Sequence, residues 1–542
     1  VRASSRVRPI AHAIGSATSP APDRESWAAA LGVHWRLALA LLVGLAAAIG
    51  GLAPVADPDI TIHLATGEWI RRHGAVPLVE PFAWTRAGQP FYAYSWAMEV
   101  LYAQLWQLGG LAALQALRGL ECALAVLAVG WLGRTLGWRP WTIVYVAALN
   151  LDVALRVAPF VRPQFLHFIA MPIAWGLAHR IWRVDPAAPD RLPWRPLVAL
   201  GLLGMGMANA HLLFPLTAVP VGLVALTADR LDLRRFAAAL GALALGWLAS
   251  PNAPHWPAVF VQNFAPNALI TYPSPIAEYQ PGFLRLVSDA NGTAALALLL
   301  VLPWVLPSTG GGAVTPRARA WFGVAWLVGL LGFGLVGKSV LIWWLALLPM
   351  AARVVDRLPA ASGSRALRLV PLLAWGGMLA IRMHALARSH DATTAASPRA
   401  VPTLAGAALE PLLARLERET GPAVDARVVT TMEFGGYLTW RAPRLSPSID
   451  GRTIFPDSIA GPQTFVGPLV RTRPLPPIAG ADLALLPLAD PAAAVLDTAA
   501  AWQRVATSAP RARGASAAGL WARRDWWERA RTSPARRLGV AR

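Results

Sequence analysis

Asp57, Asp59 and His63 stand together directly after the first long apolar run, in Ala56-Asp57-Pro58-Asp59-Ile60-Thr61-Ile62-His63-Leu64. Ionisable groups beside hydrocarbon are costly, so a cluster kept there points to function. A carboxylate so placed can take the proton from a hydroxyl as it attacks an electrophilic carbon, which makes Asp59 a candidate base with Asp57 supporting it. Asp oxygens also suit a hard divalent cation such as Mg²⁺ or Mn²⁺, so the pair doubles as a candidate metal site. His63 lies four residues after Asp59 and shares its face if the segment is helical. Arg156, Arg162 and Lys338 are candidate contacts for a leaving phosphate, whose developing charge a cation stabilises. Plainer roles exist for each: Asp favours helix N-caps, and Arg and Lys at helix ends anchor in lipid headgroups through their long stems.

The rest of the chain reads as the scaffold for this cluster. Its 542 residues are 56% hydrophobic and 14% charged, with a mean hydropathy of +0.46, which marks a polytopic membrane protein. A net charge of +20 would ordinarily suggest nucleic acid. Here nearly all the basic residues are Arg, in short clusters between apolar runs, with Lys338 the single lysine. That pattern is a topology signal, and no nucleic-acid partner is expected. Cys122 sits alone in an apolar run, which excludes an intramolecular disulfide and a Cys-rich metal site. No cleavage site clearly follows the first apolar run, so it is expected to remain in the membrane as a signal anchor.

Eleven spans are expected, at 35–53, 111–133, 140–159, 163–182, 196–210, 212–228, 236–250, 292–307, 319–336, 339–355 and 367–387. The pair 196–210 and 212–228 is read as a hairpin whose tip carries Asn209 and His211. With the N-terminus inside, inner segments up to residue 388 hold nineteen basic residues and outer loops seven, the bias that cytoplasmic loops show. An N-in, C-out topology in the inner membrane follows, with residues 1–34 a basic cytoplasmic segment. The 54–110 loop, Arg156, Arg162, Glu278, Lys338 and the C-terminal region then all fall on the extracytoplasmic side.

Within that first loop, residues 61–73 and 95–108 are predicted as amphipathic helices lying in the membrane interface, where Trp and Tyr are favoured. Residues 76–82 and 88–90 are turn-rich. After a polar linker at 389–402, residues 403–525 alternate predicted strands and helices and form a small extracytoplasmic α/β domain. The basic stretch 526–542 is expected to be disordered. Gly435-Gly436 lacks the Lys-Ser/Thr of a phosphate loop, so no nucleotide cofactor is expected, and the pair reads as a tight turn. Asp450 and Arg452, around Gly451, could contact a sugar or phosphate, or form a local salt bridge.

Several motifs resemble one known group. Asp57-x-Asp59-x-x-x-His63-Leu64-x-x-Gly67-x-Trp69-Ile70, Glu80-Pro81-Phe82-x-x-Thr85 and Trp96-x-x-Glu99 resemble the first outer loop of bacterial multi-pass proteins of the GT-C glycosyltransferase type. The resemblance continues through Arg162-Pro163-Gln164, Asn209-Ala210-His211, Ser250-Pro251-Asn252 and Glu278-Tyr279. It ends in Gly435-Gly436-Tyr437-Leu438 and Ile449-Asp450-Gly451-Arg452. It implies a GT-C-like transmembrane domain over 35–388 and transfer of a sugar from a polyprenyl-phosphate carrier on the outer face of the bilayer. The acceptor would be an envelope glycan, lipid or protein. The resemblance also implies that an acidic residue of the first outer loop, here Asp57 or Asp59, acts as base or metal ligand. Glu80, Glu99, His211 and Glu278 complete the candidate substrate contacts. The chain departs from the group at Glu80, where Asp is usual before Pro-Phe, at Thr61-Ile62, where aromatics are common, and at Lys338, where Arg is usual. These departures bear on fine specificity.

Two other classes compete. A transporter or lipid flippase would carry ionisable residues near the bilayer midplane and internal repeats. No convincing repeat is present, and Arg118 and Glu121 are the main charges deep in the spans. A non-catalytic membrane protein whose outer domain binds polysaccharide would not depend on Asp57 or Asp59.

Overall fold

A computed structural model describes residues 27–52, 55, 57, 59–155, 161–183, 191–228, 230–264, 315–335, 339–361, 404–422, 424–452, 480–508 and 517–532. Helices α1 (Trp27–Leu52), α2 (Ile60–His73), α3 (Trp96–Leu136), α4 (Pro140–Ala154) and α5 (His167–Trp182) open the chain. They are followed by α6 (Trp194–Ala210), α7 (Ala218–Thr227), α8 (Leu233–Leu248), α9 (Trp256–Phe264), α10 (Pro316–Leu335) and α11 (Ser339–Ala361). The long apolar runs become helices because only a helix satisfies its own backbone groups in an apolar surrounding. Their shared core includes Leu42, Val126, Leu151, Met171, Trp175 and Trp344. Arg118, buried in α3, donates to the Gly50 carbonyl at 2.7 Å and so ties α3 to α1.

Among the described residues, α1 (through Trp35–Leu52) and α3 are long and apolar enough to cross a membrane. A third crossing arises if α8 and Ala253–Phe264, bent by 103°, form one broken span. The runs expected at 140–159, 163–182, 196–210 and 212–228 coincide with α4 to α7, which are shorter than the ~20 residues that span a bilayer unaided. Those at 319–336 and 339–355 coincide with α10 and α11. The runs at 292–307 and 367–387 and the linker at 389–402 lie outside the described residues. α1 starts at Trp27, inside the segment expected to precede it.

The segments expected at 95–108 and 111–133 are two helical pieces of α3, separated at Gly109 and Gly110, whose backbone angles are non-helical, with φ 56° at Gly110. A non-helical glycine pair is a recognised cause of a sharp kink. One side of α2 is buried in the protein through Ile60, Ile62, Leu64, Ala65, Gly67 and Ile70. It packs between α3 and the C-terminal region. A Cβ at Gly67 would fall 1.9 Å from the Glu99 carbonyl oxygen, so glycine permits the close crossing of α2 and α3.

The C-terminal region comprises α12 (Leu404–Thr420), β1 (Ala426–Thr430), α13 (Met432–Arg441), β2 (Leu445–Pro447), β3 (Leu483–Pro487), α14 (Pro491–Thr498), β4 (Trp502–Ser508), β5 (Ala518–Arg523) and α15 (Arg524–Thr532). The strands form one sheet in the order β2-β1-β3-β5-β4, parallel at β2-β1 and β1-β3 and antiparallel at β3-β5 and β5-β4. Strand side chains alternate between faces. Val428, Leu483, Leu485 and Leu520 meet α12, α13 and α15 on one face, while Val429, Ala484, Leu486 and Trp521 meet α14 on the other.

Two expectations are corrected here. Residues 524–532 are helical, because Trp526, Trp527 and Ala530 bury against the sheet while Asp525 pairs with Arg523 and Arg529, so the disorder expected from Trp526 onward does not hold over them. Gly435 and Gly436 lie inside α13, where Gly435 lets the Ile449 carbonyl approach to 1.7 Å from where a Cβ would stand.

Candidate active site

Asp57 is wholly buried, and its carboxylate accepts hydrogen bonds from Arg162 Nε at 3.1 and 3.2 Å and from Nη2 at 3.0 Å. Arg162 is extended (φ −128°, ψ 142°) directly before Pro163, the conformation that a following proline favours. Asp57 Oδ1 also accepts the Asp59 backbone N–H at 3.1 Å, which fixes the turn into α2. Asp59 occupies the N-cap position of α2, yet its side chain makes no capping hydrogen bond. Its backbone carbonyl accepts the first helical bonds, from Ile62 and His63 at 3.1 Å each, while its carboxylate meets Arg162 Nη2 at 2.7 Å. With its side chain 26% exposed against 0% for Asp57, Asp59 is the accessible member of the pair.

The C-terminal region closes over Asp59. A Cβ on Gly451 would stand 2.7 Å from Asp59 Oδ1, so the Asp450-Gly451-Arg452 turn lies directly against the carboxylate. That turn is held by Arg452, which bonds Asp450 through Nε at 2.7 Å and Glu80 through Nη2 at 2.8 Å. The guanidinium also lies over the rings of Phe82 and Phe91, with centroid distances of 5.5 and 4.6 Å. Burial works against the charge of Arg452, and the Asp450 and Glu80 carboxylates more than offset it, keeping its pKa above the ordinary value. Glu80 Oε1 in addition accepts the N–H groups of Phe82 and Ala83. Neighbouring contacts extend the seam: Thr85 donates to the Ser448 carbonyl at 2.5 Å, and Ser446 donates to that of Phe82.

His63 points from α2 to α3, with Nδ1 3.1 Å from Glu99 Oε1 and its ring edge-on to Tyr102 at 6.1 Å. Burial lowers the imidazole pKa, but the Glu99 hydrogen bond and charge, with the charges of Asp57 and Asp59, raise it further, and the net position is above 6.5. A His whose pKa is raised on folding stabilises the fold fully below its unfolded value and loses that contribution as pH rises through the folded value. The melting temperature of the wild-type protein is therefore expected to fall as pH rises from about 6.5 upward. His63→Gln is expected to flatten that slope, and thermal scans across pH on both proteins make the comparison.

Asp57, Asp59, His63 and Arg162 thus converge, whereas other expected contacts are engaged elsewhere. Glu80, Asp450 and Arg452 form a clamp between the first loop and the sheet domain, and Glu99 pairs with His63. His211 takes up hairpin bonding, with Nδ1 accepting the Leu213 N–H at 3.2 Å and lying 3.0 Å from His167 Nε2. Asn209 accepts from Trp96 Nε1 at 2.8 Å. Arg156, Glu278 and Lys338 lie outside the described residues. In the sequence Gly451 stands only as the middle of the Asp450-Gly451-Arg452 turn. Its approach to Asp59 is a long-range contact with no local signature.

Arg162 Nη2 contacts both carboxylates, and among the described residues no group of three or more His, Cys, Asp or Glu is placed to hold a metal ion.

No protein-family model matches the chain, and no curated protein matches it. Among solved structures, the fold is similar to that of the arabinofuranosyltransferase AftD from Mycobacteria, with a TM-score of 0.51 and 16% identity over 94% of this chain. The match covers 42% of that protein, so this chain spans less than half of its length. It is also similar to ArnT from Cupriavidus metallidurans in the apo state, with a TM-score of 0.52 and 16% identity, covering 92% of this chain and 98% of that one. At this identity the likeness to both is one of fold.

Proposed function

We propose that the protein is an integral membrane glycosyltransferase that transfers a sugar from a polyprenyl-phosphate-linked donor to an acceptor hydroxyl on the extracytoplasmic face. The observation that carries this reading is the asymmetry of the acidic pair. One carboxylate is buried and locked to Arg162, while the other is accessible and released from helix capping. In the reaction, Asp59 accepts the acceptor hydroxyl proton as that oxygen bonds to the anomeric carbon. The bond from the anomeric carbon to the phosphate oxygen breaks at the same centre, and the polyprenyl phosphate leaves with the electron pair. Arg162 provides positive charge beside that phosphate, and Asp57 fixes the orientation of its guanidinium. The similar arabinofuranosyltransferase fold supports the reaction class, and the bundle of apolar helices suits a lipid-borne donor.

The test is reconstitution of the purified protein in liposomes with radiolabelled polyprenyl-phosphate-linked pentose or hexose and a cell-envelope acceptor fraction. Labelled acceptor is the expected product, and its absence with every donor refutes the reading. Because a guanidinium holds the carboxylates, transfer is expected to persist after exhaustive EDTA treatment, and loss restored by Mg²⁺ or Mn²⁺ would reinstate a metal mechanism.

A further inference from the structure

We propose that the open cleft between α2, the first half of α3, the Pro81-Phe82 turn and α13 is a saccharide-binding subsite that holds the acceptor glycan away from the reacting hydroxyl. The cavity measures about 320 Å³, within the range of small-molecule pockets, roughly 300–1,000 Å³. Its lining combines three indoles, Trp69, Trp106 and Trp440, with the polar side chains of Glu68, Arg72 and Gln107. A sugar ring has an apolar C–H face and a rim of hydroxyls. Flat aromatic walls beside fixed donors and acceptors match both.

The polar groups are already oriented. Glu68 Oε1 accepts from Arg72 Nε at 2.9 Å and Oε2 from Gln107 Nε2 at 2.6 Å, so the carboxylate, guanidinium and amide form one connected rim. The indoles are equally fixed: Trp106 meets Trp440 edge-to-face at 5.3 Å, and Trp69 is backed by His73, stacked at 4.0 Å. Preorganised side chains lose little freedom when a ligand arrives. Trp440 comes from the sheet domain and the other five from the first loop and its helices, so the cavity exists only where the two units meet.

Its position decides which sugar it takes. Ala65 and Glu68 line it, six and nine residues beyond Asp59 on α2, or about 9 and 14 Å along the axis at ~1.5 Å per residue. A ring seated there is separated from the ring that receives the transferred sugar, as in an acceptor that is itself an oligosaccharide. That place in the reaction rests on the proposed transferase activity, whereas ring binding as such does not.

Calorimetric titration of the intact chain in detergent with arabinotetraose, mannotetraose and maltotetraose tests the subsite. At least one is expected to bind at millimolar concentration or below. Trp69→Ala and Gln107→Ala are each expected to weaken it about tenfold, with melting temperatures close to wild type. Asp59→Asn is expected to leave this binding unchanged, which separates the subsite from the catalytic assignment. No binding by any of the three, or undiminished affinity in both cavity variants, overturns the proposal. Displacement of the bound tetrasaccharide by the polyprenyl-phosphate sugar would assign the cavity to the donor and overturn the acceptor role.

Discussion

Asp59→Asn is expected to reduce sugar transfer by about 10²- to 10⁴-fold, the range over which a positioned general base contributes. Asn keeps the size of Asp and an accepting oxygen, so the turn into α2 survives. Its backbone bonds to Ile62 and His63 do not involve the side chain at all. The ion pair lost with Arg162 is partly exposed on both sides and contributes about 1 kcal/mol or less. Arg162 also retains its bonds to Asp57. Activity and stability should therefore separate sharply, with transfer nearly gone and a melting temperature close to that of the wild type. Radiolabel transfer in liposomes and a thermal scan on the same preparation measure both. Wild-type transfer in this variant sinks the base assignment, and collapse of the fold shows Asp59 to be structural.

Arg162→Met is expected to have the largest effect on stability, a loss of about 3–5 kcal/mol, because it strands a buried carboxylate. Asp57 has no solvent to turn to, and its acceptance from Arg162 is what offsets its desolvation. The double variant with Asp57→Asn should recover part of the loss, since the uncompensated charge is gone. A coupling of that sign is the mark of a direct pair. Arg162→Lys should fall between, because an ammonium restores charge without the flat fork that reaches both oxygens. Denaturant titration of detergent-solubilised wild type, Arg162→Met, Asp57→Asn and the double variant gives the cycle, with Arg162→Lys measured beside it. Equal stability of Arg162→Met and wild type would mean that Asp57 finds other partners.

Much of the framework was legible because it is written in local pattern. Apolar runs located α1, the second part of α3, α4 to α8, α10 and α11, and amphipathic spacing located α2 and the first part of α3, whereas α9 fell in a stretch read as an outer loop. Strands expected at 426–431, 446–450, 482–487, 502–508 and 519–523 are found at 426–430, 445–447, 483–487, 502–508 and 518–523. The acidic pair stood out because two carboxylates beside a hydrophobic run are costly. The stretch after Trp526 was misread because basic composition hid an apolar side, Trp526, Trp527 and Ala530, that has meaning only once a sheet lies beneath it.

What the sequence determined by itself was the helical, membrane-type character of the chain and the identity of the groups able to do acid–base chemistry, since both depend on composition and short spacing. Only the tertiary structure decided which groups meet. It set Arg162 between Asp57 and Asp59 across a separation of about a hundred residues, turned Glu80 and Glu99 to protein partners, and pressed Gly451 against Asp59. The physical reason is that a buried charge must find a counter-charge wherever the fold brings one, and a carboxylate in isolation carries no record of which cation that will be.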